Sequence, residues 1–338
     1  MAISRWMMVV VAVPAVAGTL GCGGEQRDAS QPAQPSSASL RAELGAATQP
    51  SVSDFPAVAG RTLQEVADQA VTTAGPQVGL ATSVFTPGVN RFAFGVIAPD
   101  NTFVYGKSAV YVAQRANQPA RGPYLAPADL LLTDPPYRSQ QAATEKDQFA
   151  AVYAAQVPLP RTGRWQALVL TRQGKETVGA TTAVTVTPST RDPVAKVGSR
   201  APVVDTDTVA SAGSIKAIDT RVPNDDMHDV NLRDVLGRKP VVLLFSTPQL
   251  CQSKVCGPVT DIAQQLKQTY GDQAAFIHQE VYADNDPKKG LRKPLLAFGL
   301  ETEPWLFTIG RDGRIAERVE GSFGFNAFNA AIKKAIGQ

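Results

Sequence analysis

The chain has 338 residues, a net charge of +3, 43% apolar residues, three cysteines and only two histidines. Acids and bases are interleaved, so the basic stripe of a nucleic-acid binder is missing and no nucleic-acid partner is expected. Two histidines exclude a histidine-rich metal centre, and neither a metal nor an organic cofactor is expected.

Arg5 opens a short cationic start, and Trp6 to Ala17 is almost continuously apolar but too short to span a bilayer. Thr19-Leu20-Gly21-Cys22 resembles a bacterial lipoprotein signal, with Thr where that pattern usually has Leu. The resemblance implies a signal peptide over 1–21 and a lipidated Cys22 that anchors the protein to a membrane outside the cytoplasm. The alternative is a secretory signal cut after Ala15-Val16-Ala17, which leaves Cys22 as a free thiol in a secreted protein. The lipoprotein reading leaves one cysteine pair and no orphan thiol in an oxidising compartment. Residues 22–52 are rich in Gln, Pro, Ser and Ala and are expected to form a disordered tether. Such a tether reaches on the order of 30 Å.

The remainder is long enough for two domains. From 53 to 188 the pattern is β-rich. Residues 62 to 72 are expected to form a short helix. The runs Asn90–Ile97, Ser108–Ala113, Ala150–Val157, Trp165–Leu170 and Thr181–Val186 are separated by turn signals with no helix between them. That spacing predicts an immunoglobulin-like β-sandwich. Pro123 to Lys146 shows no clear period and reads as a long loop. The β region carries neither His nor Cys, and its role is open between an interaction module and a spacer.

A linker is expected over 189–200, and from 201 to 338 strand and helix patterns alternate, as in an α/β domain. Val241–Phe245 reads as an inner strand, and Val259, Ile262, Ala263 and Leu266 share one helical face. Ala274 to Val281 is a second strand. Leu306–Ile309 and Ile315–Val319 flank Arg311-Asp312-Gly313 as a hairpin. Phe325 to Ile336 is a closing amphipathic helix. Cys251-Gln252-Ser253-Lys254-Val255-Cys256 follows the inner strand directly, and Glu303-Pro304-Trp305 opens the strand before the hairpin. This order resembles the thioredoxin superfamily over residues 197–338, and Val197-Gly198-Ser199-Arg200-Ala201-Pro202 resembles the start of its membrane-tethered and peroxiredoxin-like branches.

The resemblance implies thiol chemistry, with Cys251 attacking as a thiolate and Cys256 resolving the intermediate. A helix start supports a thiolate by presenting unpaired N–H groups, and Lys254 adds a nearby cation. It also implies a cis peptide before Pro304, with Glu303, Pro304 and Trp305 against the bound substrate. The spacing departs from the family's usual Cys-x-x-Cys. Two residues five apart on a regular helix lie about 8.7 Å apart between Cα atoms and face about 140° apart. A disulfide needs Cα atoms within roughly 7 Å. Either Cys251 lies before the helix, or the first turn unwinds on oxidation, and Pro258 is compatible with both.

Cys-x4-Cys also resembles the atypical two-cysteine peroxiredoxins. That group places Thr three residues before the attacking cysteine, where this chain has Pro248; Thr247 is four before it. Disulfide exchange on extracytoplasmic protein thiols is therefore the first reading and thiol peroxidase the second. A redox-inert scaffold with a structural Cys251–Cys256 disulfide is the third. Copper delivery is disfavoured because the cysteine spacing is one longer than in related copper proteins. His278 falls in an expected strand as a half-buried sheet residue. Asp284-Asn285-Asp286 lacks the ligand spacing of a calcium loop.

Overall fold

Alternating apolar positions build the first half of the protein into two antiparallel sheets. The computed structural model describes residues 37–143 and 149–338; the expected signal, Cys22 and residues 22–36 of the expected tether lie outside them. Strands β1 (Gln77–Leu80), β2 (Gly88–Ile97), β6 (Ala151–Leu159) and β5 (Ala128–Leu130) form one sheet in the order β1-β2-β6-β5. Strands β4 (Arg121–Ala126), β3 (Lys107–Ala113), β7 (Gly163–Gln173) and β8 (Glu176–Val186) form the second, in the order β4-β3-β7-β8. Phe92 and Phe94 of β2, with Tyr153 and Val157 of β6, meet Val110, Trp165, Val169 and Val184 in one core between the sheets.

The second sheet buries its other face too. Leu63 and Val66 of helix α2 (Leu63–Ala70) pack on Ala109, Tyr111, Leu168 and Leu170, which is why β3 is apolar at nearly every position. Thr62 and Glu65 close the start of α2 as a reciprocal capping box.

Two expectations for this half are corrected. Part of the expected tether is helix α1 (Ser37–Ala47), whose Leu40, Leu44 and Ala47 are buried against the sandwich. Eleven residues are too few for a stable isolated helix, so packing of this i, i+4, i+7 stripe holds it. The segment read as a loop from Pro123 carries most of β4 and all of β5. Pro127, which has no N–H, sits where the chain passes from one sheet to the other.

The second half begins with two short helices, α3 (Val209–Ala212) and α4 (Leu232–Val235), ahead of strand β9 (Val241–Phe245). Then follow α5 (Cys256–Tyr270), β10 (Ala275–Gln279), α6 (Lys293–Phe298), β11 (Trp305–Ile309), β12 (Ile315–Glu320) and α7 (Phe325–Ile336). The sheet order is β10-β9-β11-β12, with β10 parallel to β9 and β11 antiparallel to both β9 and β12. Val242, Leu244 and Leu306 pack on α5 and α7, while Val241, Leu243, Phe245 and Phe307 pack on Leu232, Leu295 and Phe298. A parallel β9–α5–β10 crossover, an antiparallel β11–β12 pair and a closing helix make this half thioredoxin-like.

The expected linker and the division at 189–200 are also corrected. Ser36 to Gln338 is one compact unit. Ala195, Gly198 and Ala201 donate backbone N–H groups to Phe298, Ile315 and Gly313, so the linker is strapped along the second half. Leu131 and Ala143 from the β-half enter the core formed by α5, α7 and the mixed sheet. Arg91 donates to the backbone carbonyls of Glu320 and Ser322 at 3.0 and 2.7 Å. Gly321 has φ +73, and a Cβ there would lie 1.5 Å from the Ala81 carbonyl oxygen, so the backbones meet where only glycine fits. The composition shift near 195 marks a change of architecture and not a break in packing.

Candidate active site: a buried dithiol beside Glu303

Strand β9 delivers its chain end to the site. Beyond Phe245, the Cys251 N–H donates to the Thr247 carbonyl at 3.1 Å and the Lys254 N–H to the Cys251 carbonyl at 3.3 Å. Lys254 takes the left-handed conformation with φ 59, uncommon for a residue with a side chain, and the helix then starts at Cys256. Cys251 therefore lies in the loop before α5 and Cys256 occupies the first helical position. This resolves the spacing problem, because the turn folds Cys251 back over the helix start. The two sulfurs and a Glu303 carboxylate oxygen all lie within 4.8 Å of one another, and both cysteines are free thiols.

The two thiols differ in environment. Cys251 is brought down to about 6, first by a hydrogen bond from the Cys256 thiol, which outweighs burial, and then by Ser253, whose hydroxyl is 3.2 Å from its sulfur. Cys256 is completely buried; burial and the bond to Cys251 push its thiol well above the ordinary value. One sulfur is thus prepared as a thiolate and its neighbour is held as the proton-bearing thiol.

Glu303 is the third member. Burial, and then the negative charge of Cys251, raise its carboxyl to about 8. The Tyr282 hydroxyl donates to Glu303 Oε1 at 3.3 Å, while Oε2 has no partner among the described residues. Near neutral pH the site thus places a protonated carboxyl beside a thiolate. The peptide between Glu303 and Pro304 is cis.

The dithiol is covered by the β-half. Phe149 packs on the cluster of Cys251, Val255 and Cys256. A cleft of about 910 Å³ runs from Lys254, Glu303 and Pro304 to Phe103, Phe149 and Ser83. A second cleft of about 580 Å³ reaches Cys251 between Gln141, Phe149, Pro248 and Pro258. Lys254 borders both. Ser139 donates its N–H and hydroxyl to Asp261 of α5 at 3.0 and 3.1 Å, and Arg221 bonds the other Asp261 oxygen at 2.9 Å. That buried ion pair fixes the covering segment to the helix that carries Cys256.

Cys251, Cys256 and Glu303 are gathered at one place, and Lys254 and Pro304 line the cleft beside them. Trp305 does not. Its side chain is buried, stacked on Phe307, and its indole N–H donates to Thr302 Oγ1 at 3.0 Å, so the side chain belongs to the core. His278 is revised, from half-buried to fully buried. Its Nε2 lies 3.2 Å from Ser246 Oγ, which bonds Thr260 at 2.6 Å; Thr260 in turn donates to the Cys256 carbonyl at 2.8 Å.

Phe149, Gln141, Ser253 and Tyr282 were not singled out in the sequence. A signal for Gln141 existed. Gly257 sits in the first turn of α5, where a Cβ would lie 2.4 Å from Gln141 Cβ. A glycine inside a helix start, where alanine is the better former, marks close approach of another chain segment.

No family model matches the chain, and none of the curated proteins does. Among solved structures, it is similar to a thiol:disulfide interchange protein of the thioredoxin family from Chlorobium tepidum TLS. The identity is 16% over 42% of this chain and 99% of that one, with a TM-score of 0.28. It is similar as well to a thioredoxin-like superfamily protein, at 14% identity over 41% of this chain and 97% of that one, with a TM-score of 0.29. The thioredoxin-like character of the fold is read from the strand order β10-β9-β11-β12 and the β9–α5–β10 crossover.

Proposed function

We propose that the protein is an extracytoplasmic thiol–disulfide oxidoreductase, anchored through a lipidated Cys22, whose redox pair is Cys251 and Cys256. The observation that carries the reading is the unequal pair: a thiolate-prone Cys251 held by a buried, protonated Cys256. The Cys251 thiolate attacks a substrate disulfide sulfur, forms a mixed disulfide and expels one substrate thiolate. Cys256 then loses its proton and attacks Cys251, closing the Cys251–Cys256 disulfide and releasing the second substrate thiolate. The substrate gains two electrons, the protein loses two, and the reverse sequence oxidises a dithiol. Once Cys251 is in the mixed disulfide, the thiolate charge that raises Glu303 is gone, and its carboxylate takes the proton that Cys256 gives up; Lys254 at the rim favours the thiolate by its charge.

The β-half's strand order, β1-β2-β6-β5 facing β4-β3-β7-β8, supports reading it as an immunoglobulin-like sandwich. Its role is to supply Phe149 and Phe103 as the apolar wall of the cleft. Anchorage rests on the signal pattern alone, and no described helix is long and apolar enough to cross a membrane. Replacing Cys22 by Ala should release the protein from membranes; full retention would refute the anchor.

The exchange reading is tested by trapping. Cys256→Ser should accumulate mixed disulfides through Cys251, and Cys251→Ser should trap little. If Cys256→Ser instead builds a sulfenic acid on Cys251 under dilute peroxide with no partner attached, the protein is a peroxidase. Thr247 is the residue to watch in that case, since its hydroxyl is buried without a partner among the described residues.

A further inference from the structure

Below the dithiol, the loop from Asp219 to His228 brings three ligand-type side chains against His278 of β10. Asp219, Asp225, His228 and His278 are all buried, and one donor atom from each lies within 4.8 Å of every other. His228 Nε2 is 3.3 Å from an Asp225 oxygen and 3.7 Å from an Asp219 oxygen. His278 Nδ1 is 2.8 Å from an Asp225 oxygen and 3.9 Å from an Asp219 oxygen. A tetrahedral ion with bonds of about 2.0–2.1 Å needs donor–donor edges of about 3.3–3.4 Å; the two imidazoles meet different oxygens of each carboxylate, so binding turns one oxygen of each toward the ion.

The hydrogen bonding is that of a site facing inward. His278 Nε2 lies 3.1 Å from the Ser246 carbonyl, which calls for an N–H on Nε2, while Nδ1 meets an Asp225 oxygen at hydrogen-bond distance, 2.8 Å. That contact needs a proton between nitrogen and carboxylate, and a bound cation would take the proton's place. Both nitrogens of His228 lack a hydrogen-bond partner among the described residues, although the side chain is 1% exposed and Nε2 faces two carboxylates. The carboxylates are braced from behind: Arg221 N–H and Asp225 N–H donate to the two Asp219 oxygens at 2.7 and 2.8 Å, and Met227 N–H to Asp225 at 2.9 Å.

We propose that Asp219, Asp225, His228 and His278 form a buried divalent transition-metal site, with zinc as the ion its two-imidazole, two-carboxylate set fits. Two carboxylates and two neutral imidazoles neutralise a divalent charge, which offsets the cost of burying it. Four protein donors close the coordination sphere, so the site is structural. It clamps the 219–228 loop to β10, and the path His278–Ser246–Thr260–Cys256 ties it to the start of α5. The inference does not depend on the redox reading.

The test uses full-length protein carrying Cys22→Ser, Cys251→Ser and Cys256→Ser, so that no thiol competes for metal and no lipid is attached. After exhaustive dialysis against chelator, Zn²⁺ is titrated against a chromophoric competitor and Co²⁺ is followed by its visible d–d bands. The expected result is one equivalent bound, intense tetrahedral cobalt bands without a sulfur charge-transfer band, and a melting temperature that rises with metal. His228→Gln should lower the affinity at least about tenfold, the scale on which even outer contacts to a metal act. Asp219→Asn serves as a second variant should that one fail to fold. A folded, dialysed protein that binds neither ion below millimolar concentration, with an unchanged melting temperature, would show an imidazole–carboxylate cluster only. Binding that both folded variants leave intact would place the metal elsewhere and overturn the assignment equally.

Discussion

The Cys251 and Cys256 sulfurs lie within 4.8 Å of each other, and their mutual interaction drives the first thiol down and the second up. They meet because Cys256 opens α5 while Cys251 lies in the preceding turn. The relationship is directional: the same interaction that lowers Cys251 raises Cys256.

Removing the Cys256 thiol should therefore raise the Cys251 midpoint from about 6 toward the ordinary thiol range. Cys256→Ala should do so fully, Cys256→Ser should retain part of the effect through its hydroxyl, and Ser253→Ala should give a smaller rise. Thiolate absorbance near 240 nm against pH reads all three. Equal midpoints in Cys256→Ala and Cys256→Ser would show that the hydrogen bond is not the cause.

The elements that carry this chemistry were legible because their signals are local. The apolar run Val241–Phe245, the spaced face of α5, the Arg311-Asp312-Gly313 turn and the closing helix Phe325–Ile336 each announce themselves within a dozen residues. What lies across the fold was not legible. Asp129 accepts N–H groups from Gly324, Asn326 and Ala327, nearly 200 positions away, and nothing near Asp129 in sequence marks it as a helix cap. Phe149 over the dithiol and the pairing of both histidines with Asp219 and Asp225 are likewise long-range. Counting histidines dismissed a cluster in which aspartates supply the other half.

Glu303 gives a stability signature of definite sign. Its folded value of about 8 lies above the ordinary 4.5, so between these pH values the folded state holds a proton that the unfolded state has lost. The stability from this group is complete below about 4.5 and is lost as pH rises toward about 8. Cys251, Cys256, Tyr282, Glu280 and Lys254 are the ionisable groups around it. In reduced protein, Glu303→Gln should therefore gain stability over wild type progressively across that window, measured by urea unfolding at several pH values. A pH-independent difference would mean that Glu303 titrates normally.

Asp129 reports on the joining of the two halves. It caps α7 with three hydrogen bonds of 2.9 to 3.0 Å while buried in the β-half. Asp129→Ala should cost about 1–3 kcal/mol in chemical denaturation and keep a single transition. A fragment starting at Val197 loses Leu131, Ala143 and Asp129 and should not melt cooperatively. A fragment as stable as the parent would show that the halves are separable domains.

Gly257 weighs helix propensity against packing. Alanine is favoured over glycine in a helix by about 1 kcal/mol. Here the added Cβ meets Gln141 Cβ at 2.4 Å and its carbonyl oxygen at 2.7 Å. Overpacking of this kind costs about 1–3 kcal/mol. Gly257→Ala should thus be destabilised by thermal melting, and Cys251 should alkylate faster as the covering segment lifts. A more stable variant would show that the segment over the dithiol yields freely.

The most direct test of the unequal pair is site-resolved alkylation of the reduced protein across pH 4 to 10, with each cysteine quantified by peptide mass spectrometry. Cys251 should titrate near 6 and react first, and Cys256 should stay unmodified in the folded protein up to high pH. If both thiols follow one curve centred at the free-cysteine value of about 8.5, the assignment of Cys251 as attacking thiolate and Cys256 as resolving thiol is contradicted.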